Sequence, residues 1–148
     1  MPKKDYSTSW SENNNAQKIR KSAVELAISI CASGGMEKHK KELLSCLIWK
    51  TTEASGKYNT RYVSKGVFNG GFPVEHEHVF TRKTLVEKML RNPEDIRLVI
   101  DEAVACLVTK EEHGSLSKSN RDGWERYEDI GIKIYDRLKG KWIGTWNN

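Results

Sequence analysis

"FPVEHEHVF" (residues 72–80) is the stretch on which the reading of this chain turns. Glu75, His76, Glu77 and His78 alternate acid with imidazole between apolar Val74 and Val79. A period of two predicts a strand, with Glu75 and Glu77 on one face and Val74, His76 and His78 on the other. The segment holds two of the chain's four histidines. It is either a solvated face whose Glu and His side chains satisfy one another, or half of a catalytic site. The second reading needs another ligand elsewhere in the chain.

"TKEEH" (109–113) offers one. Thr109 followed by Glu112 is a capping box, in which each side chain takes up the other's backbone amide, so a helix starts here with His113 at the end of its first turn. The run before it, "VACLV" (104–108), fits a last helical turn or a short buried strand. Upstream, "YNTRYVSKGVF" (58–68) reads as a strand, and "NGG" (69–71) as a turn that lets 72–80 pair back on it.

Helices are expected around these strands. Ile19, Ala23, Leu26, Ala27 and Ile30 recur at helical spacing over 16–32, and Ser33-Gly34-Gly35 ends that run. A second helix over 36–50 places Leu43, Leu44, Leu47 and Ile48 inward and Lys38, Lys40 and Lys41 outward. "TRKTLVEKMLR" (81–91) makes a short helix with Leu85, Val86, Met89 and Leu90 inward. "NPED" (92–95) opens another, with Asn92 as cap and Pro93 in first position, continuing through Ile96, Val99, Ile100, Ala103, Val104 and Leu107. "WERYEDIGIKIYDRLK" (124–139) predicts a closing amphipathic helix through Trp124, Tyr127, Ile130, Ile134 and Leu138. Residues 1–15 are polar and expected to be flexible. The tail "GKWIGTWNN" carries Trp142 and Trp146, which need a surface to pack on, and it is a candidate homodimer interface. The expected fold is α+β, a mostly helical single domain over 16–148 around a small antiparallel core at about 58–120.

The composition narrows the function. In 148 residues, 37% are apolar and 30% charged. No apolar run reaches the roughly 20 residues of a membrane span, and no apolar segment follows the basic N-terminus as a signal peptide requires. The cytoplasm is the expected location. Cys31, Cys46 and Cys106 contain no C-x-x-C pair and sit among apolar neighbours, which excludes a cysteine zinc ribbon and predicts buried, reduced thiols. A net charge of +5 points to an anionic partner, nucleic acid first. No G-x-S-x-G, P-loop or cysteine–histidine signature is present.

"EHVFTRK" (77–83) and "CLVTKEEHGSLSK" (106–118) together resemble the opening and closing halves of HNH endonucleases, the ββα-metal or His-Me finger nucleases. The opening of that family is an acid, a histidine, an apolar residue and then Pro-Arg. Here Thr81 stands where proline is usual and Arg82 matches the arginine. The resemblance spans 74–118. It implies Glu77 and His113 as metal ligands and His78 as general base, with a divalent ion, Mg²⁺ first and Mn²⁺ or another transition metal as alternatives. Asn92 lies 21 residues before His113, farther than the family's middle Asn, so that role stays unassigned. The segment between the halves is longer and more helical than a minimal finger.

The expected function is therefore a metal-dependent endonuclease acting on DNA, with RNA second. His76 and Glu75 are additional site candidates, His76 as a third ligand or as a neighbour tuning the base. Arg82, Lys83, Lys110, Lys118, Arg121 and Arg61 are candidate phosphate contacts. The alternative is a non-catalytic basic nucleic-acid-binding or regulatory protein with structural histidines.

Overall fold

The computed structural model describes residues 4–143. In chain order its helices are α1 (Ala16–Ala32), α2 (Glu37–Thr52), α3 (Lys65–Phe68), α4 (Arg82–Arg91), α5 (Ile96–Asp101), α6 (Lys110–Leu116) and α7 (Trp124–Ile130). Its strands are β1 (Tyr62–Ser64), β2 (Val74–His78), β3 (Ala105–Thr109), β4 (Ile134–Asp136) and β5 (Lys141–Ile143). The fold is α+β and mostly helical, as the sequence predicts. The chain forms two compact units. Residues 13–57 and 80–104 make a helical unit, and the N-terminal residues to Glu12, 58–79 and 105 onward make a sheet unit.

The helical unit is held by apolar burial. Leu44, Ile48, Leu85, Met89, Ile96 and Ile100 are fully buried in one cluster with Ala23, Val24 and Ala27. Each large side chain there contributes roughly 1.5–3 kcal/mol by leaving water. The predicted spans of α1, α2 and α4 are found, but the buried stripes shift. On α1 the inward residues are Ala16, Ala23, Val24 and Ala27, while Leu26 is exposed. On α2 they are Leu44, Ile48 and Thr51, and Leu43 is exposed. The helix expected after "NPED" is shorter. Pro93–Asp95 forms one 3-10 turn, α5 ends at Asp101, and the ambiguous "VACLV" run becomes β3. Burial of Cys106, Leu107 and Val108 on both faces makes this a central strand.

In the sheet unit the strand order is β2-β3-β1-β4-β5, with β1 parallel to β3 and every other pair antiparallel. The expected hairpin between the 58–68 strand and 72–80 does not form, because β3 lies between them. The strand itself stops at Ser64, whose hydroxyl accepts the Val67 amide and starts α3. That local side-chain bond competes with the ladder. The "NGG" turn instead brings Gly71 N–H to within 2.7 Å of Gly66 O. A Cβ on Gly71 would stand 2.6 Å from that same oxygen, so the turn requires glycine.

The closing helix is also shorter than the sequence suggests. Gly131 takes a left-handed conformation (φ 74°) that ends α7, and Ile134–Asp136 becomes β4 rather than more helix. Leu138 is exposed, not inward. The N-terminal stretch is tied down where it is described. Trp10 N–H and its indole N–H donate to Arg137 O (3.3 Å) and Asn59 O (3.2 Å), and the Arg137 guanidinium donates to Thr8 O. Trp142 packs on Phe68 and Tyr135; Trp146 lies outside the described residues. Of the cysteines, Cys106 is buried, Cys31 half-buried and Cys46 exposed, so the expectation of three buried thiols fails at Cys46.

Candidate functional site

The site candidates converge on β2, β3 and α6. β2 and β3 pair antiparallel over five residues, with Glu77 opposite Cys106 and His78 opposite Ala105. β3 runs directly into α6 through the predicted capping box. Thr109 Oγ1 accepts the Glu112 amide at 3.2 Å, and the Thr109 amide donates to Glu112 Oε1 at 2.8 Å. Ser64 Oγ donates to the same Glu112 oxygen at 2.5 Å, anchoring the start of α6 to β1. The Lys110 amide donates to Pro73 O, fixing it beside the start of β2. These bonds orient the first turn of α6 so that His113 Nδ1 meets Glu77 Oε2.

Glu77 is buried, and a lone buried carboxylate would be expensive. A guanidinium compensates it. Arg126, itself only 5% exposed, donates to Glu77 Oε1 at 3.2 Å. Its other terminal nitrogen donates to His78 O (2.6 Å) and Val79 O (2.9 Å). One guanidinium thus fixes both the carboxylate and the backbone that leaves β2. Nearby, burial pushes the Cys106 thiol and the Tyr127 hydroxyl well above their ordinary values, so both stay neutral beside Glu77.

The pleat places Glu77 and His78 on opposite faces, as the alternation of the segment predicts. His78 shares a strand face with His76, their ring centroids 5.4 Å apart, and Glu77 points the other way toward His113 and Arg126. Glu77 and His113 are therefore brought together, and His76 with His78. Glu75 stands on the Glu77 face of the strand, half-buried. Among the described residues no group of three or more His, Cys, Asp or Glu side chains gathers around one point.

The predicted phosphate contacts divide. Lys110 and Lys118 are exposed on and just after α6. Arg61 instead makes a bidentate pair with Asp136 (2.8 and 2.7 Å). Arg121 is bound by Glu125 and Asp129. Arg82 and Lys83 belong to the helical unit, where the Arg82 guanidinium lies 4.9 Å over the Trp49 ring.

Sequence reasoning missed Arg126. It lies between Trp124 and Tyr127 on a segment read as amphipathic, where an arginine looks like part of the solvated face.

Comparison with protein-family models, curated proteins and solved structures gives no match to this chain.

Proposed function

We propose that the chain is a metal-dependent endonuclease of the ββα-metal kind, a cytoplasmic enzyme that hydrolyses phosphodiester bonds in DNA. One observation carries the reading. Glu77 and His113, 36 positions apart, meet at one point, and the antiparallel pair and capped helix that carry them run in the order strand, strand, helix. The donor set suits a divalent ion. Mg²⁺ is commonly held by one or two carboxylates with water completing its shell, and an imidazole ligand admits Mn²⁺ or another transition metal as well. Arg126 occupies Glu77 Oε1, which leaves Oε2 directed at His113.

In this reading Glu77 and His113 would hold the ion, and Arg126 keeps the carboxylate from turning. A bound divalent ion would stabilise the charge that develops on the phosphate and the leaving oxygen. The resemblance assigns the general base to His78, whose ring lies on the opposite strand face from Glu77. Lys110 and Lys118 contact backbone phosphates. The placement of His78 on the opposite face from Glu77 makes the base the assignment that mutation tests hardest.

A second reading, a non-catalytic nucleic-acid-binding protein, is favoured by one specific feature. Both Glu77 oxygens already have partners inside the fold, so the cluster is complete as a structural ion pair. Incubating supercoiled plasmid with the protein and Mg²⁺, Mn²⁺ or EDTA separates the two. The nuclease reading expects nicking that needs metal and falls by about 10²–10⁴ in His78→Ala, while DNA affinity is kept. Tight binding with no cutting of supercoiled, linear or single-stranded DNA would establish the second.

A further inference from the structure

The positive charge of this protein is unevenly placed. The helical unit holds 13 Lys and Arg against nine Asp and Glu, a net +4, and the sheet unit 12 against 11, a net +1. The sheet unit's four arginines are all engaged within its own fold. Arg61 pairs with Asp136, Arg121 with Glu125 and Asp129, and Arg126 with Glu77, while Arg137 donates to Thr8 and Thr60 carbonyls. In the unit that carries the candidate site acids nearly balance the cations, and Lys110 and Lys118 stand exposed on and just after α6.

The helical unit has an open groove of about 770 Å³ between α2 and α4. Lys41, Arg82 and Lys83 line it, with Trp49 beneath the Arg82 guanidinium. Glu42 and Glu87 also line it, and Lys41 stands 3.7 Å from Glu37, a pair so exposed that a stronger anion can displace it. Further along the same unit, Lys18 and Lys50 flank a second groove between α1 and α2. Cys46 opens onto the first groove and is the exposed thiol among the three cysteines.

We infer that the helical unit is the DNA-gripping part of the protein, and that the α2–α4 groove receives the phosphate backbone of duplex DNA. The inference rests on the endonuclease reading for its choice of DNA, and the grip itself is a separate property. Two features select backbone over base contact. The cations are solvent-exposed lysines and an arginine, which contact phosphates without reading sequence. The Trp49 ring, which could otherwise stack an unpaired base, is already covered on one face by Arg82.

Cys46 makes the test direct on the unaltered protein. Its alkylation rate is measured in EDTA, so that no cleavage intervenes, with and without duplex DNA, duplex RNA or a single-stranded oligonucleotide, while a mobility shift follows binding. Duplex DNA is expected to slow Cys46 alkylation at least tenfold and to lose that protection as salt rises. The double variant Lys41→Glu/Lys83→Glu, both side chains exposed, is expected to flatten the slope of log affinity against log salt by about 0.9 for each contact removed. Lys139→Glu, exposed in the sheet unit, is expected to leave the slope unchanged. Binding of duplex DNA with Cys46 unprotected overturns the inference and leaves the nuclease reading standing. Protection by RNA or single strands alone, or no binding of duplex DNA, overturns it too. The plasmid assay judges the catalytic site independently of all these outcomes.

Discussion

In the sheet unit the carboxylates of Glu77 and Asp136 are 8% and 2% exposed, and each is met by a guanidinium. In the helical unit the core is built from apolar side chains with no buried charge among the described residues, and Lys41 and Glu37 face each other in solvent with side chains 52% and 74% exposed. The same residue types therefore do different work. In one unit charge is part of the interior and fixes where strands and helices meet. In the other it lies outside the apolar core, in pairs such as Lys41–Glu37 and Lys88–Glu102.

That contrast can be broken by mutation. Arg126→Met should show the largest effect, lowering unfolding free energy in urea by about 3–5 kcal/mol, because it leaves Glu77 as a buried charge with one partner fewer. A loss under about 1 kcal/mol would mean that water reaches Glu77 and the sheet unit's interior charge is not structural. The Arg61–Asp136 pair sharpens the comparison through pH. The side-chain hydrogen bond from Arg61 holds the Asp136 carboxyl below its usual 3.8. A carboxyl lowered in the folded state contributes stability that is complete above its unfolded value and is lost as pH falls through the folded one. Asp136→Asn should therefore cost stability at pH 7 and flatten the acid limb below about pH 4, as read by thermal melts across pH. Glu37→Gln should show the smallest effect, within about 0.5 kcal/mol of wild type, as exposed pairs do.

The two units were also legible to different degrees. The helices α1, α2 and α4 follow from apolar periodicity, since apolar burial is what holds them, and of the three only α4 has a side-chain cap, Thr81. Even there the stripe was misplaced at Leu26 and Leu43, because small Ala16, Ala23 and Ala27 take the inward positions and bring α1 close to its neighbours. In the sheet unit, β2 and the capping box at Thr109 were readable from local spacing. The position of β3 between β1 and β2 was not, because a parallel β1–β3 pairing joins segments some 40 residues apart and leaves no local mark. Ser64 and Gly131 ended elements that patterning alone would have continued.

The candidate site divides in the same way. Glu77 and His113 could be named from their residue types and flanking structure, and the fold unites them. Arg126 could not, since burial of an arginine depends on the tertiary partner that compensates it. The pairing of His78 with Glu77 as base and ligand came from the resemblance to HNH endonucleases, and β2 keeps their side chains on the opposite faces that the alternation predicts.

Under the endonuclease reading, Glu77 and His113 form a divalent-ion site and not a finished ion pair. Calorimetric titration of Mn²⁺ into wild type, Glu77→Gln and His113→Ala, each checked for native circular dichroism, tests it most directly. One ion bound by wild type, with affinity lost at least tenfold in both folded variants, is the predicted result. Equal Mn²⁺ affinity in all three proteins, or none in wild type, would contradict the claim and leave the pair as the brace between β2 and α6.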